Sequence, residues 1–221
     1  DWIYQGYAEE GFNAFNEYLQ PIFAEATCHI QTRPICKPER VDFTADPVSR
    51  KIKSPSSHIR QQLGLSDTGK VVMITAGGTP KSYGFIDTLK NQTDIHFIIP
   101  GASDSENIQN NLILLPENSV YFHPDLINAA DAVIGKVGYS TIAEIYQAGV
   151  PFGYSARTRY RESKPLVDFV ENHMNGLPIA ESEFQNGRFT GRIKEILQIP
   201  RAQGNRPNGA DQIADFIASR L

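Results

Sequence analysis

The sequence predicts an α/β fold, a parallel sheet with helices on both faces. Three observations carry this. From Lys70 onward, apolar strand-length runs alternate with helical segments, the pattern of parallel strands joined by crossover helices. Runs such as "KVVMIT" and "DAVIGK" read as buried strands, and several end in glycine or proline turns. Hydrophobic residues make up 40% and charged residues 21% of the 221, enough for a sizeable core.

Taken in order, residues 11–26, "GFNAFNEYLQPIFAEA", space Phe12, Phe15, Leu19, Ile22 and Phe23 three and four apart. That spacing predicts an amphipathic helix, interrupted or kinked near Pro21. A polar stretch from Thr32 to Ser57, marked by Pro34, Pro38, Pro47 and Pro55, is the candidate linker between domains. "SSHIRQQLGL" reads as a short helix with a serine cap, closed by Gly64. "KVVMITAGG" is the first strand of the alternating region, with a helix following through about Lys90. "DIHFIIPG" and "NLILLP" are the second and third strands, "HPDLINAA" a short helix, and "DAVIGK" the fourth strand. A helix from Ser140 to Ala148 leads to the strand "PFGYSA", the helix "ESKPLVDFVENH" and a short strand at "GLPIA". Helices near Thr190 to Gln198 and Gly209 to Arg220 finish the chain. The abrupt opening "DWIYQGY" reads as the middle of a domain, so the chain is expected to be a fragment.

A formal net charge of −4 gives no support to a nucleic-acid partner, which would show as a basic face. There is no apolar run of 18 residues and no signal-peptide pattern, so no membrane span is expected. A peripheral membrane contact stays open. Cys28 and Cys36, the only cysteines, match no zinc or redox spacing and are expected to be reduced, mostly buried thiols of a cytoplasmic protein. Asn91-Gln92-Thr93 matches the glycosylation tripeptide by accident. A GxxxxGK[ST] loop, a GxSxG elbow and a paired-histidine metal motif are all missing, and "TAGGTP" lacks GxGxxG spacing. The expectation is a nucleotide held without a metal.

In an open parallel sheet, ligands sit beyond the carboxyl ends of the strands. Four turns fall there: Gly77-Gly78, Pro100-Gly101, Phe122-His123-Pro124 and Gly138-Tyr139-Ser140-Thr141. The two glycines at 77 and 78 let backbone approach a phosphate closely. Ser140 or Thr141 can cap a helix whose first amides carry partial positive charge, an end suited to a diphosphate. Glu144, on one face with Ser140 and Thr141, can accept two ribose hydroxyls; alternatively Ser140 and Glu144 only cap the helix. Arg157, Arg159 and Arg161 can neutralise phosphate and Glu162 can contact sugar hydroxyls, or this is a solvated loop with surface ion pairs. His123 either meets base or sugar or marks a helix entry. Lys136 either faces the crevice or is a surface lysine. Asn208-Gly209 is a second anion site or a turn.

"DAVIGKVGYSTIAEIYQAGVP" resembles the donor-binding segment of GT-B glycosyltransferases. It is similar to the second domain of the peptidoglycan N-acetylglucosaminyltransferase family and, more closely, to the glycosyltransferase-like region of plant L-arabinokinases. "DWIY" at Asp1 to Tyr4, "DAVIGKVGYSTIAE" at Asp131 to Glu144 and "NGADQIADFI" at Asn208 to Ile217 carry the likeness, in order across nearly the whole chain. It implies a Rossmann-like GT-B C-terminal domain over residues 47–221, preceded by a remnant of an N-terminal domain and linker over 1–46. It implies that Gly77 and Gly78 lie near the donor diphosphate and that Gly138, Tyr139, Ser140 and Thr141 receive phosphate. Glu144 binds ribose, Phe122 and His123 flank the base, and Glu162 lies near the donor sugar. Lys136 or Arg159 offsets charge on the departing diphosphate in place of a metal.

The function implied is transfer of a sugar from a nucleotide sugar, a UDP-sugar, to an acceptor hydroxyl. The donor is the substrate and no separate cofactor is expected. The acceptor site and catalytic base belong to the missing N-terminal domain, so the isolated chain is expected to bind donor weakly and turn nothing over. The alternatives are a non-catalytic nucleotide-sugar-sensing module and, third, the related fold of nucleotide-sugar epimerases.

Overall fold

Side chains alternate across the strand Lys70–Thr75 (β3): Val71 and Met73 enter one hydrophobic cluster, Val72 and Ile74 the other. A strand buried on both faces needs helices above and below, and the chain supplies them. The computed structural model describes residue 2 and residues 11–75, 84–157, 160–204 and 206–221.

The main sheet has seven strands, and six of them run parallel. β3 is central. On one side lie Ile95–Pro100 (β4) and Leu112–Leu115 (β6), with Asn107–Gln109 (β5) antiparallel at the edge. On the other lie Ala132–Lys136 (β7), Phe152–Ser155 (β8) and Gly176–Pro178 (β9). Successive connections therefore build outward from β3 in one direction, return, and continue in the other direction from β7. The switch point falls between β3 and β7, where loops leaving the strand ends diverge. Gly135 stands at this junction, because a Cβ there would come within 2.6 Å of the Thr75 carbonyl.

One face is covered by Ser56–Gln62 (α2), His123–Ala129 (α4), Tyr139–Ala148 (α5) and Ser163–His173 (α6). The other is covered by Ile86–Lys90 (α3), Glu181–Asn186 (α7), a 3-10 turn at Arg188–Arg192, and Ile193–Leu197 (α8). Helices on both faces of a mostly parallel sheet agree with the expected fold class. None of the described helices is long and apolar enough to cross a membrane.

Several local expectations need correction. The serine cap of α2 is not formed: Pro55 precedes the helix and no side chain caps it, although Gly64 does close it, at φ 67°. β5 and α7 were not anticipated, and the helix expected from Thr190 begins as a 3-10 turn. The stretch expected as a linker contains a strand, Phe43–Ala45 (β2), paired in parallel with Ile30–Thr32 (β1). Phe43 stacks on Phe216 of the last helix, Gly209–Ala218 (α9), at 4.8 Å, and that apolar contact orders the segment despite its prolines. The first helix, Phe12–Ala24 (α1), runs through Pro21, yet Phe15, Ile22 and Phe23 are exposed while Asn16 is buried. Cys28 is exposed and Cys36 partly buried, both as free thiols; they lie in the irregular segments around β1, and neither belongs to a core cluster.

At the amino edge of the sheet, an ion pair with a buried arginine fixes the start of β3 and β7. Arg60, 8% exposed, donates to Asp131 Oδ2 at 2.9 Å and to the carbonyls of Ala129, Asp67 and Gly69 at 2.9, 3.0 and 3.0 Å. The same carboxylate oxygen accepts from the Val71 amide at 2.7 Å. Asp131→Ala is expected to cost about 2–3 kcal/mol, because it strands a buried guanidinium and a strand amide. Urea unfolding should show a lower midpoint with unchanged slope.

Candidate functional site

Beyond the carboxyl ends of β7 and β8, a cleft of about 400 Å3 opens between the starts of α5 and α6. That size lies within the range of small-molecule sites. Lys136 leaves β7 into it, Gly138, Tyr139 and Thr141 form its α5 wall, and Glu162 and Ser163 form its α6 wall. Arg157 and Tyr160 enter from the loop after β8, with the Arg157 guanidinium 5.0 Å from the Tyr160 ring. Cys36 closes one side, and burial together with the nearby Glu162 carboxylate pushes its thiol up.

Among the described residues, no side chain caps the start of α5. Gly138 precedes the helix in extended conformation, and Tyr139, Ser140 and Thr141 occupy its first turn. The sequence reading offered Ser140 or Thr141 as the cap, but both sit inside the helix and neither caps it. Their amides lie in the first turn, where no i−4 carbonyl is available. The Tyr139 ring does not project freely: its hydroxyl donates to the Arg33 carbonyl at 2.7 Å and lies 2.7 Å from Thr32 Oγ1. This bond ties the chain after β1 to the first turn of α5.

One turn on, Glu144 is 4% exposed and does not cap the helix either. Its Oε1 accepts from Arg50 Nε and Nη2 at 2.7 Å each, and His123 Nδ1 lies 2.7 Å from Oε2. Burial alone would raise this carboxyl; the contacts from His123 and then Arg50 outweigh it and hold the group below the usual carboxylate range. Phe122, just before α4, lies under two cations, the Arg50 guanidinium at 5.1 Å and Lys53 Nζ at 4.2 Å from the ring centroid.

The expected site residues thus gather in two neighbouring places that share the first turns of α5. Lys136, Gly138, Tyr139, Thr141 and Glu162 line the cleft, with Ser140 exposed on the same turn. Phe122, His123 and Glu144 form the second cluster. Gly77, Gly78 and Arg159 lie outside the described residues. Arg161 turns away, stacking 4.1 Å over Trp2. Pro100-Gly101 makes a turn at φ 73° and lines neither place. Asn208-Gly209 proves to be a structural turn. Asn208 caps α9 through the Ala210 amide and donates to the Ser49 carbonyl at 2.8 Å, while a Cβ on Gly209 would strike the Asp46 carbonyl at 1.9 Å. Arg50 was missed, because 94 residues separate it from Glu144 and it lies in the presumed linker. Among the described residues, no group of three His, Cys, Asp or Glu side chains could hold a metal ion.

No family model matches the chain. Over 170 residues it is 25% identical to the L-arabinokinase of Arabidopsis thaliana, covering 77% of this chain and 16% of that protein. Over 190 residues it is 24% identical to the UDP-N-acetylglucosamine–N-acetylmuramyl-(pentapeptide) pyrophosphoryl-undecaprenol N-acetylglucosamine transferase of Bacillus pumilus, covering 79% of this chain and 50% of that one. Among solved structures, the glycotransferase of kitacinnamycin superposes with a TM-score of 0.64 at 16% identity, over 99% of this chain and 65% of that one. The fold is that of GT-B glycosyltransferases, and the chain spans about half the length of the Bacillus relative.

Because the Glu144 carboxyl is held low in the folded chain, its stabilising contribution is complete above about 4.5, the ordinary value, and is lost as pH falls through the lower folded value. The stability gap between wild type and Glu144→Gln, measured by urea unfolding, should therefore be largest near neutral pH and shrink below about pH 4. A gap that stays constant down to about pH 3 would show that the charge on Glu144 contributes nothing.

Proposed function

We propose that this chain is the donor-binding half of a glycosyltransferase that moves a sugar from a nucleotide sugar, UDP-linked, to an acceptor hydroxyl. The observation that carries the reading is the first turn of α5, which no described side chain caps and which lines a cleft beyond the carboxyl ends of two parallel strands, β7 and β8. The GT-B fold and the glycosyltransferase relatives support the same reading.

In this reading the diphosphate lies against the first amides of α5, where the helix end carries partial positive charge. Lys136, at the mouth of the same cleft, adds a cation. Glu144 receives the ribose hydroxyls, Phe122 and His123 flank the base, and Glu162 on the opposite wall faces the donor sugar. Gly77, Gly78 and Arg159 are assigned to the diphosphate from the sequence resemblance alone. In the transfer, the acceptor oxygen bonds to the anomeric carbon and loses its proton to a base. The bond from that carbon to the diphosphate oxygen breaks, and its electron pair leaves with the nucleoside diphosphate. The helix end and the cation stabilise the charge that grows there. In this reading the base and the acceptor pocket are separate from the residues that hold the donor. A second reading, a non-catalytic nucleotide-sugar-sensing module, is favoured by the match to one part of an enzyme whose name records a kinase activity.

Calorimetric titration with UDP tests the site. Glu144→Gln is expected to bind UDP about tenfold more weakly than wild type, because a charged acceptor is lost. Equal affinity in the two proteins removes Glu144 from the nucleotide site.

A further inference from the structure

The carboxylate assigned to the ribose is already engaged by the chain itself. A carboxylate offers about four lone-pair positions. Arg50 takes two on Oε1 and His123 one on Oε2, which leaves one, whereas a vicinal diol needs two. Ligand and internal partners compete, so one internal partner has to yield.

The two partners differ in what release would entail. The His123 side chain is 28% exposed and sits in the first turn of α4, a helix largely buried against the core. The Arg50 side chain is 57% exposed, with the face of Phe122 on one side and solvent on the other. Once freed, a guanidinium there keeps its aromatic contact and regains water. The backbone around it is anchored. The Ser49 carbonyl accepts from Asn208 at 2.8 Å, and the Lys53 amide donates to Asp125 Oδ1 at 2.7 Å. Movement is therefore confined to the Arg50 side chain. Arg60, by contrast, is 8% exposed and gives its donors to four carbonyls besides Asp131, so it has no such freedom.

We propose that Arg50 is a positioning residue that holds the Glu144 carboxylate in the empty protein and releases it when a nucleotide diol binds, so that it sets the affinity for ribose-bearing ligands. This rests on the reading of Glu144 as the ribose contact. Arg50 acts as an internal competitor, and removing its donors should strengthen diol binding while leaving ligands without a diol unaffected.

The test compares wild type with Arg50→Met, which keeps stem length and the contact with Phe122, using UDP and 2′,3′-dideoxyuridine diphosphate as probes. UDP is expected to bind the variant about fivefold more tightly, the scale of releasing a half-exposed ion pair. The dideoxy ligand is expected to bind both proteins equally. Arg50→Lys, which keeps the charge but not the two-toothed contact, should give an intermediate UDP affinity and serves where the methionine variant folds poorly. UDP binding to Arg50→Met no tighter than to wild type overturns the proposal. Equal weakening for both ligands also overturns it, because Arg50 is then a diphosphate contact. UDP that binds neither protein sinks the donor-site reading itself, and this inference with it.

Discussion

A parallel sheet covered on both faces leaves only the ends of its strands open to a ligand, and the chemistry of this chain follows from that constraint. Val71 and Met73 on one side of β3, and Val72 and Ile74 on the other, commit both faces to packing. What remains reachable is the carboxyl edge, and the order of strands splits that edge between β3 and β7. The cleft beside α5 lies on that edge, beyond β7 and β8.

The two edges hold arginine-paired carboxylates of opposite character. At the amino edge, Asp131 receives a strand amide and a guanidinium that is 8% exposed, and every group involved is used to hold backbone in place. At the carboxyl edge, Glu144 receives a guanidinium that is 57% exposed and an imidazole, neither of which holds the sheet together. The chemistry of the two pairs is similar. Solvent access to the arginine separates a structural clamp from a contact that can be exchanged.

The segment before the sheet is tied in by contacts distant in sequence. Tyr139 binds the chain after β1, Phe43 stacks on Phe216, and Gln212 accepts from the Asp46 amide while donating to its carboxylate. Through these contacts the last helix and the first turn of α5 both bear on residues 32–51. Arg50 stands within that stretch, so the position of the exchangeable contact depends on the return of α9.

Much of the fold was legible in the sequence, because strand and helix periods are local. Buried runs marked β3, β4, β6, β7 and β8, and the glycine before Tyr139 marked the turn that opens α5. Residue types at that turn also marked Glu144 as a candidate ribose contact on the helix. The partners of Glu144 were not legible. Arg50 lies 94 residues away in a proline-marked stretch with no pattern of its own, and only the packed chain brings it within 2.7 Å. The same holds for Asn208-Gly209, whose turn chemistry suits an anion or a backbone equally well until the Asp46 carbonyl is found against it. By itself the sequence determined the parallel sheet and the turn at its edge, since these arise from short-range periodicity and backbone sterics. Tertiary structure alone decided which charges meet there, because contacts closed over long loops leave no trace in local spacing.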